Sequence, residues 1–295
     1  MAQSDILLDE EYVSTSLPVR REDAHKGDFG RLLIVGGAVG FSGAPYLAAR
    51  AAVKSGCGLV YLGVPQGIYL AEAVKCTSAM PFPLPDSGGM LSIGALGAIE
   101  QKLADCDVLA LGPGLGRSTG VRAVVHTLLR ERKEPIVLDA DGLNVLAGHL
   151  AMLDERKDRV TVLTPHDGEF ARLCGCTTED LAARDRVATT RDFATEHGCV
   201  LVRKGHRTLI AFPDGLVLEN TTGDSALAKG GSGDVLTGLI GSFLAQGIPL
   251  QQAVSSAVWM HGRAGDILSE RFSPYCVTPE ELVNMGLPAV FAEVL

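Results

Sequence analysis

The chain has 295 residues, 46% of them apolar, a mean hydropathy of +0.22, and 35 acidic against 26 basic side chains, for a formal net charge of −9. That is enough apolar material for a large core in one or two units, and the negative charge sets aside nucleic acid and anionic membranes as main partners in favour of a small-molecule enzyme. The longest apolar candidate, GAPYLAARAAVKSGCGLVYLG, is broken by Arg50 and Lys54, short of the ~20 residues of a membrane span; the N-terminal MAQSDILLDEEYV lacks a signal pattern, so a cytoplasmic protein is expected.

In chain order, apolar runs of strand length are RLLIV (31–35), LVYLGV (59–64), DVLAL (107–111), PIVLD (135–139), VTVL (160–163), CVLVR (199–203) and TLIAF (208–212). Stretches of helical period fall between most of them, at 43–56, 92–104, 118–132 and 178–197. This alternation predicts βαβ units and a largely parallel sheet with helices on both faces, an α/β fold. MPFPLPDSGGM (80–90) reads as a loop. Beyond residue 219 the pattern changes to two consecutive helices, 233–246 and 250–270, the first with Val235, Leu236, Leu239, Ile240, Phe243 and Leu244 on one face. No repeat or linker divides the chain, so one domain over 1–295 is expected. Cysteines 57, 76, 106, 174, 176, 199 and 276 are scattered, without zinc spacing, and read as reduced, mostly buried thiols.

Ligands of an open parallel sheet sit beyond the carboxyl ends of its strands. Five predicted strands run there into small, polar or glycine-rich turns: GGAVGFSGA (36–44), GPGLG (112–116), ADGLN (140–144), TPHDGE (164–169) and KGHRT (204–208). GGAVGFSGA lacks the Gly-x-Gly-x-x-Gly spacing of a dinucleotide fingerprint, and no Gly-x-x-x-x-Gly-Lys-Ser/Thr occurs. The turn GGSGD (230–234) is different. Its glycines let the N–H groups of Gly230, Gly231, Ser232 and Gly233 converge at a helix N-terminus, an anion hole with Asp234 beside it. Asp234 is either a helix N-cap or a base that takes a proton from an attacking hydroxyl beside a transferring phosphoryl group. Near a positive helix end its pKa is expected to fall.

Taken together, GDFGRLLIVGG, GPGLG, LDADGLN, TPHDGEF, RKGHRT and GGSGDVLTGLIG resemble the ADP- or ATP-dependent NAD(P)H-hydrate dehydratases of the ribokinase-like superfamily. The motifs follow family order from about residue 27 to 241. The resemblance implies a ribokinase-like three-layer sandwich and a repair enzyme. Such an enzyme phosphorylates the C6 hydroxyl of hydrated NADH or NADPH from ADP or ATP, with Mg2+, and eliminates phosphate to restore the cofactor. By resemblance Asp234 is the base and contacts substrate. Ala44, Gly116 and His166 match substrate contacts, with a helix cap as the alternative for His166. Lys204, Gly205, His206, Arg207, Thr208 and Gly233 match the nucleotide site, with a solvated charge as the alternative for Lys204. Asp139, Asp141 and Asn144 read equally as water-mediated Mg2+ contacts or, for Asp141, as a helix cap.

The family resemblance further suggests a homo-oligomer, a tetramer, and a hydrate epimerase as a separate protein. Lys229 stands where relatives carry threonine beside the anion hole, so that it either assists phosphate binding or points to solvent. Asp167 stands where proline is frequent. Two other readings share the same residues: a ribokinase-like kinase for a small molecule such as a vitamin precursor, and a nucleotide-binding protein without turnover. An intact Asp234 argues against the second, since a pure binding module gains nothing from a negative charge facing phosphate.

Overall fold

A computed structural model describes residues 4–295. Its strands are β1 Ile6–Leu8, β2 Arg31–Val35, β3 Leu59–Pro65, β4 Met80–Leu84, β5 Asp86–Ser87, β6 Met90–Leu91, β7 Val108–Leu111, β8 Ile136–Leu138, β9 Thr161–Leu163, β10 Val200–Arg203, β11 Leu209–Ala211 and β12 Val217–Asn220. Among the described residues ten of these form one sheet in the order β1-β12-β11-β10-β9-β8-β7-β2-β3-β4, and β5 and β6 form a separate hairpin. Every pairing in the large sheet is parallel except those of β11 with β10 and β12.

The strands are apolar on both sides because both faces of the sheet are covered. Leu32 and Ile34 of β2 enter a core with the helices Gly43–Lys54, Ser232–Ala245 and Leu250–Phe272, while Leu33 and Val35 enter a second core with Leu96–Leu103, Thr119–Glu131 and Arg186–His197. The result is helix, sheet, helix: the expected three-layer sandwich.

The predicted strands and helices lie where periodicity puts them, with ends shifted by a residue or two in either direction and 92–104 opening as a 3-10 turn before Leu96–Leu103. The exceptions have local causes. Residues 80–90, read as a loop, contain β4 and the β5–β6 hairpin. Pro81 and Pro83 mask the strand signal, yet both fit because β4 is an edge strand with a single neighbour, β3. The helical stretch 178–197 divides into Thr178–Ala182 and Arg186–His197, since the Asp185 carboxylate accepts from Ala188 N at 2.9 Å and starts a new helix. The short strands β1 and β12 were not anticipated. Of the cysteines, Cys57, Cys106 and Cys199 are buried, Cys76, Cys174 and Cys176 half-buried, and Cys276 exposed; all seven are free thiols. No helix of the described residues is long and apolar enough to cross a membrane.

Candidate active site

At the carboxyl end of β8 the chain turns through Ala140, whose φ of 49° is rare outside glycine. The turn sends two neighbouring aspartates in different directions and holds strain of about 1–3 kcal/mol. Asp139 is buried, 1% exposed, and accepts from Lys204 Nζ at 2.9 Å and Thr164 Oγ1 at 2.7 Å on one oxygen and from Thr237 Oγ1 at 2.7 Å on the other. Asp141 instead accepts from Gly116 N at 2.9 Å, Arg117 Nε at 3.3 Å and Asn144 Nδ2 at 3.2 Å, fastening the turn after β7 to the turn after β8. Asn144 in turn accepts from Arg172 Nε at 2.9 Å.

Lys204 is therefore an anchored cation and not a solvated one. Burial works to lower its pKa, but the charges of Asp139 and Glu169, the hydrogen bond to Asp139 and the charge of Asp234 raise it on balance. Its ammonium lies over the first turn of the helix Ser232–Ala245: a Cβ on Gly233 would stand 3.1 Å from Nζ, so glycine is what lets the cation approach the backbone. Gly231 caps that helix with φ 101°, a left-handed conformation that glycine adopts without penalty. Gly230 is exposed and crowded by nothing. First-turn N–H groups of a helix lack intrahelical acceptors, and here they sit beside the ammonium of Lys204, whose charge is countered by Asp139.

Asp234, in the same turn, has its pKa raised to about 7. This corrects the expectation that the helix end would lower it. Burial is the largest cause, the negative charge of Asp139 adds to it, Lys204 opposes it, and Glu169 raises it further. Asp234 is not the N-cap, which is Gly231, and its carboxylate accepts no hydrogen bond from any described residue. It is half-buried, ionised only from about neutrality upward, and without a hydrogen-bond partner.

Beside this locus lies a cavity of about 680 Å³, walled by Lys204, Gly205, His206 and Thr208, by the chain after β12, by the start of the Ser232 helix, and by Val258, His261 and Gly262. Of the predicted nucleotide residues, Lys204, Gly205, His206, Thr208 and Gly233 line it. Arg207 does not; its guanidinium pairs with Glu219. His166 borders the same cavity but acts as a helix cap, its Nδ1 accepting from Gly168 N at 3.0 Å and Glu169 N at 3.4 Å. Ala44, in the first turn of the Gly43–Lys54 helix, and Gly116, in the turn after β7, lie apart from it, and a Cβ on Gly114 would stand 3.2 Å from that of Ala44.

The Leu250–Phe272 helix supplies His261, which the sequence does not single out; its Nε2–H donates to Ser232 O at 2.9 Å and steadies the first turn of the neighbouring helix. Burial depresses the His261 pKa to about 4, so the ring is neutral at pH 7. A histidine followed by glycine in the buried middle of this helix is the available signal. Lys229 does not face the anion locus; its ammonium donates to the carbonyls of Pro274 at 3.3 Å, Tyr275 at 2.7 Å and Val277.

Fold and site together define a ribokinase-like protein; a ribokinase-like superfamily protein from Enterococcus faecalis V583 superposes with a TM-score of 0.83 at 25% identity, covering 98% of this chain and 96% of that one. The chain belongs to the NAD(P)H-hydrate dehydratase family, whose model matches residues 32–286. The ADP/ATP-dependent NAD(P)H-hydrate dehydratase from Bacillus subtilis, crystallised with ATP and Mg2+, is similar over 100% of both chains, with a TM-score of 0.83 and 30% identity. The ADP-dependent (S)-NAD(P)H-hydrate dehydratase of Neisseria meningitidis is 39% identical over 85% of this chain and 81% of its own length. A bifunctional NAD(P)H-hydrate repair enzyme of Moorella thermoacetica is 44% identical over 88% of this chain, which spans 49% of that protein, about half its length.

Proposed function

We propose that this chain is an ADP- or ATP-dependent (S)-NAD(P)H-hydrate dehydratase. The observation that carries the reading is a carboxylate without a hydrogen-bond partner, Asp234, that titrates near neutrality beside an anchored lysine at the start of the Ser232–Ala245 helix, where the Ser232 N–H of the expected anion hole is instead taken by Lys229 O at 3.3 Å. The nucleotide occupies the cavity beside Lys204, His206 and Thr208 with its terminal phosphate at the Ser232 helix N-terminus, and the hydrate approaches from the Ala44 and Gly116 turns. Asp234 accepts the C6 hydroxyl proton as that oxygen attacks the terminal phosphorus and the bond to the leaving AMP (or ADP) breaks. First-turn N–H groups and Lys204 hold the charge on the transferring group. The ring nitrogen lone pair then expels phosphate, breaking the C6–O bond, and proton loss restores the dihydronicotinamide.

Mg2+ is part of this reading and, borne on the nucleotide phosphates, would neutralise part of their charge. The side chains suit a phosphate-borne ion and not a protein cage: Asp139 and Asp141 are engaged by Lys204, the two threonines, Gly116, Arg117 and Asn144, and the described residues contain no group of three or more His, Cys, Asp or Glu poised for a metal. A single catalytic domain, a cytoplasmic location, a homotetramer and an epimerase acting as its pathway partner complete the proposal.

Incubating the protein with NADH hydrate, Mg2+ and ADP or ATP is expected to restore absorbance at 340 nm. No recovery with either nucleotide, or a stable phosphorylated alcohol in its place, would refute the dehydratase. Asp234→Asn is expected to lower kcat at least ~100-fold, the usual loss for a general base, while calorimetry finds ADP affinity nearly unchanged.

A further inference from the structure

Lys229 is the residue of the anion-binding turn that the proposed chemistry does not use. Its ammonium receives three main-chain carbonyls, those of Pro274, Tyr275 and Val277, from the segment that follows the Leu250–Phe272 helix. Three carbonyls on one cation exhaust its donors. The segment they come from is one that needs holding: Ser273 has φ 96°, Tyr275 is 92% exposed and Cys276 is exposed. It leads directly into Pro279, which packs behind the helix cap, since a Cβ on Gly231 would stand 3.0 Å from Pro279 Cγ and 2.8 Å from Leu47 Cδ1. Lys229 also borders the cavity at its near end.

We infer that Lys229 is a positioning residue: a half-buried cation that gathers the carbonyls of Pro274, Tyr275 and Val277 and thereby clamps that segment against the back of the Gly231 turn, setting the shape of the nucleotide-binding end of the cavity. It acts through the segment and touches no phosphate. This extends the nucleotide reading of the cavity, but its first test needs no nucleotide.

In the nucleotide-free protein, Lys229→Met is expected to raise hydrogen exchange at the amides of residues 275–278 about tenfold or more, the equivalent of losing one charge-assisted hydrogen bond. A lysine held in reserve for phosphate would leave that exchange unchanged, and unchanged exchange would overturn the inference whatever the enzyme's activity. Lys229→Arg, which keeps a charged multiple donor, is expected to retain protection and guards against a variant that fails to fold. In Lys229→Ala, ammonium or potassium ions at matched ionic strength are expected to restore protection by occupying the carbonyl cluster, where choline does not. Equal response to all three salts would also overturn it. ADP affinity by calorimetry, without hydrate, is expected to fall severalfold in Lys229→Met and in Lys229→Ala, and to recover in Lys229→Ala with the salts that restore protection. Loss of protection with full ADP affinity would sink the link to the nucleotide cavity, whereas an absence of ADP binding in the unmodified protein would count against the proposed function alone.

Discussion

Asp234 sits among opposed fields, with burial and the charges of Asp139 and Glu169 favouring its neutral form and Lys204 favouring its anion. A base must be ionised to work, so kcat/KM for the hydrate is expected to rise with an apparent pKa of about 7 and to be roughly tenfold lower at pH 6 than at pH 8. A limb near pH 4 would show that Asp234 is not the titrating group. The same shift has a consequence for stability. Its native pKa lies above the unfolded value of 3.8, so the carboxyl's stabilising contribution is complete below about pH 4 and is lost as pH rises through 7. Asp234→Asn, which never ionises, is expected to unfold at a higher temperature than the unmodified protein at pH 8, with the difference shrinking by pH 4.5; scanning calorimetry at the two pH values checks it.

At the scale of elements, the decisive contact is between the helices Gly43–Lys54 and Ser232–Ala245. They approach so closely at Gly238 that a Cβ there would stand 2.0 Å from Ala48 O. Backbone cannot yield as a side chain does, so Gly238→Ala is expected to destabilise by about 1–3 kcal/mol, the usual range for overpacking. Because the shift pushes the Ser232 helix along with its N-terminal turn, the variant is also expected to bind ADP more weakly, as denaturant melts and calorimetry would show. Periodicity made these two helices legible, and the GGSGD turn between Lys229 and Val235 announced their role. It could not show that the partner of Gly238 is the backbone of residue 48, because nothing in a 3.6-residue pattern names what lies opposite a small residue.

Across the whole molecule, the amino ends of the strands are tied as firmly as the carboxyl ends are open. Arg156, 1% exposed, donates to the carbonyls of Leu129 at 2.7 Å, Arg132 at 2.5 Å and Glu134 at 3.3 Å, and to Thr161 Oγ1 at 3.1 Å. Burial lowers its pKa to about 10, so it remains charged. Arg156→Met would leave several buried carbonyls without a donor and is expected to cost about 3 kcal/mol or more. Since the residue lies at the end of the sheet away from Asp234, KM and kcat at 25 °C are expected to stay near those of the unmodified protein. A large change in kcat without a change in the unfolding midpoint would contradict this.

Local pattern alone determined the alternation of strands and helices, the covered faces of the sheet and the strand ends that carry the site, because apolar periodicity and glycine-rich turns are properties of neighbouring residues. The GGSGD turn, KGHRT and TPHDGE were visible for the same reason. Tertiary structure decided what depended on distant partners. Asp139, 65 positions from Lys204, becomes that lysine's anchor; their joint field, with Glu169 and burial, turns the expected fall in the Asp234 pKa into a rise. His261 and Lys229, one inside a long helix and the other in a motif, find their roles only against Ser232 and residues 274–277. Charge and hydrogen bonding act across space, and the chain order by itself does not say which groups will meet.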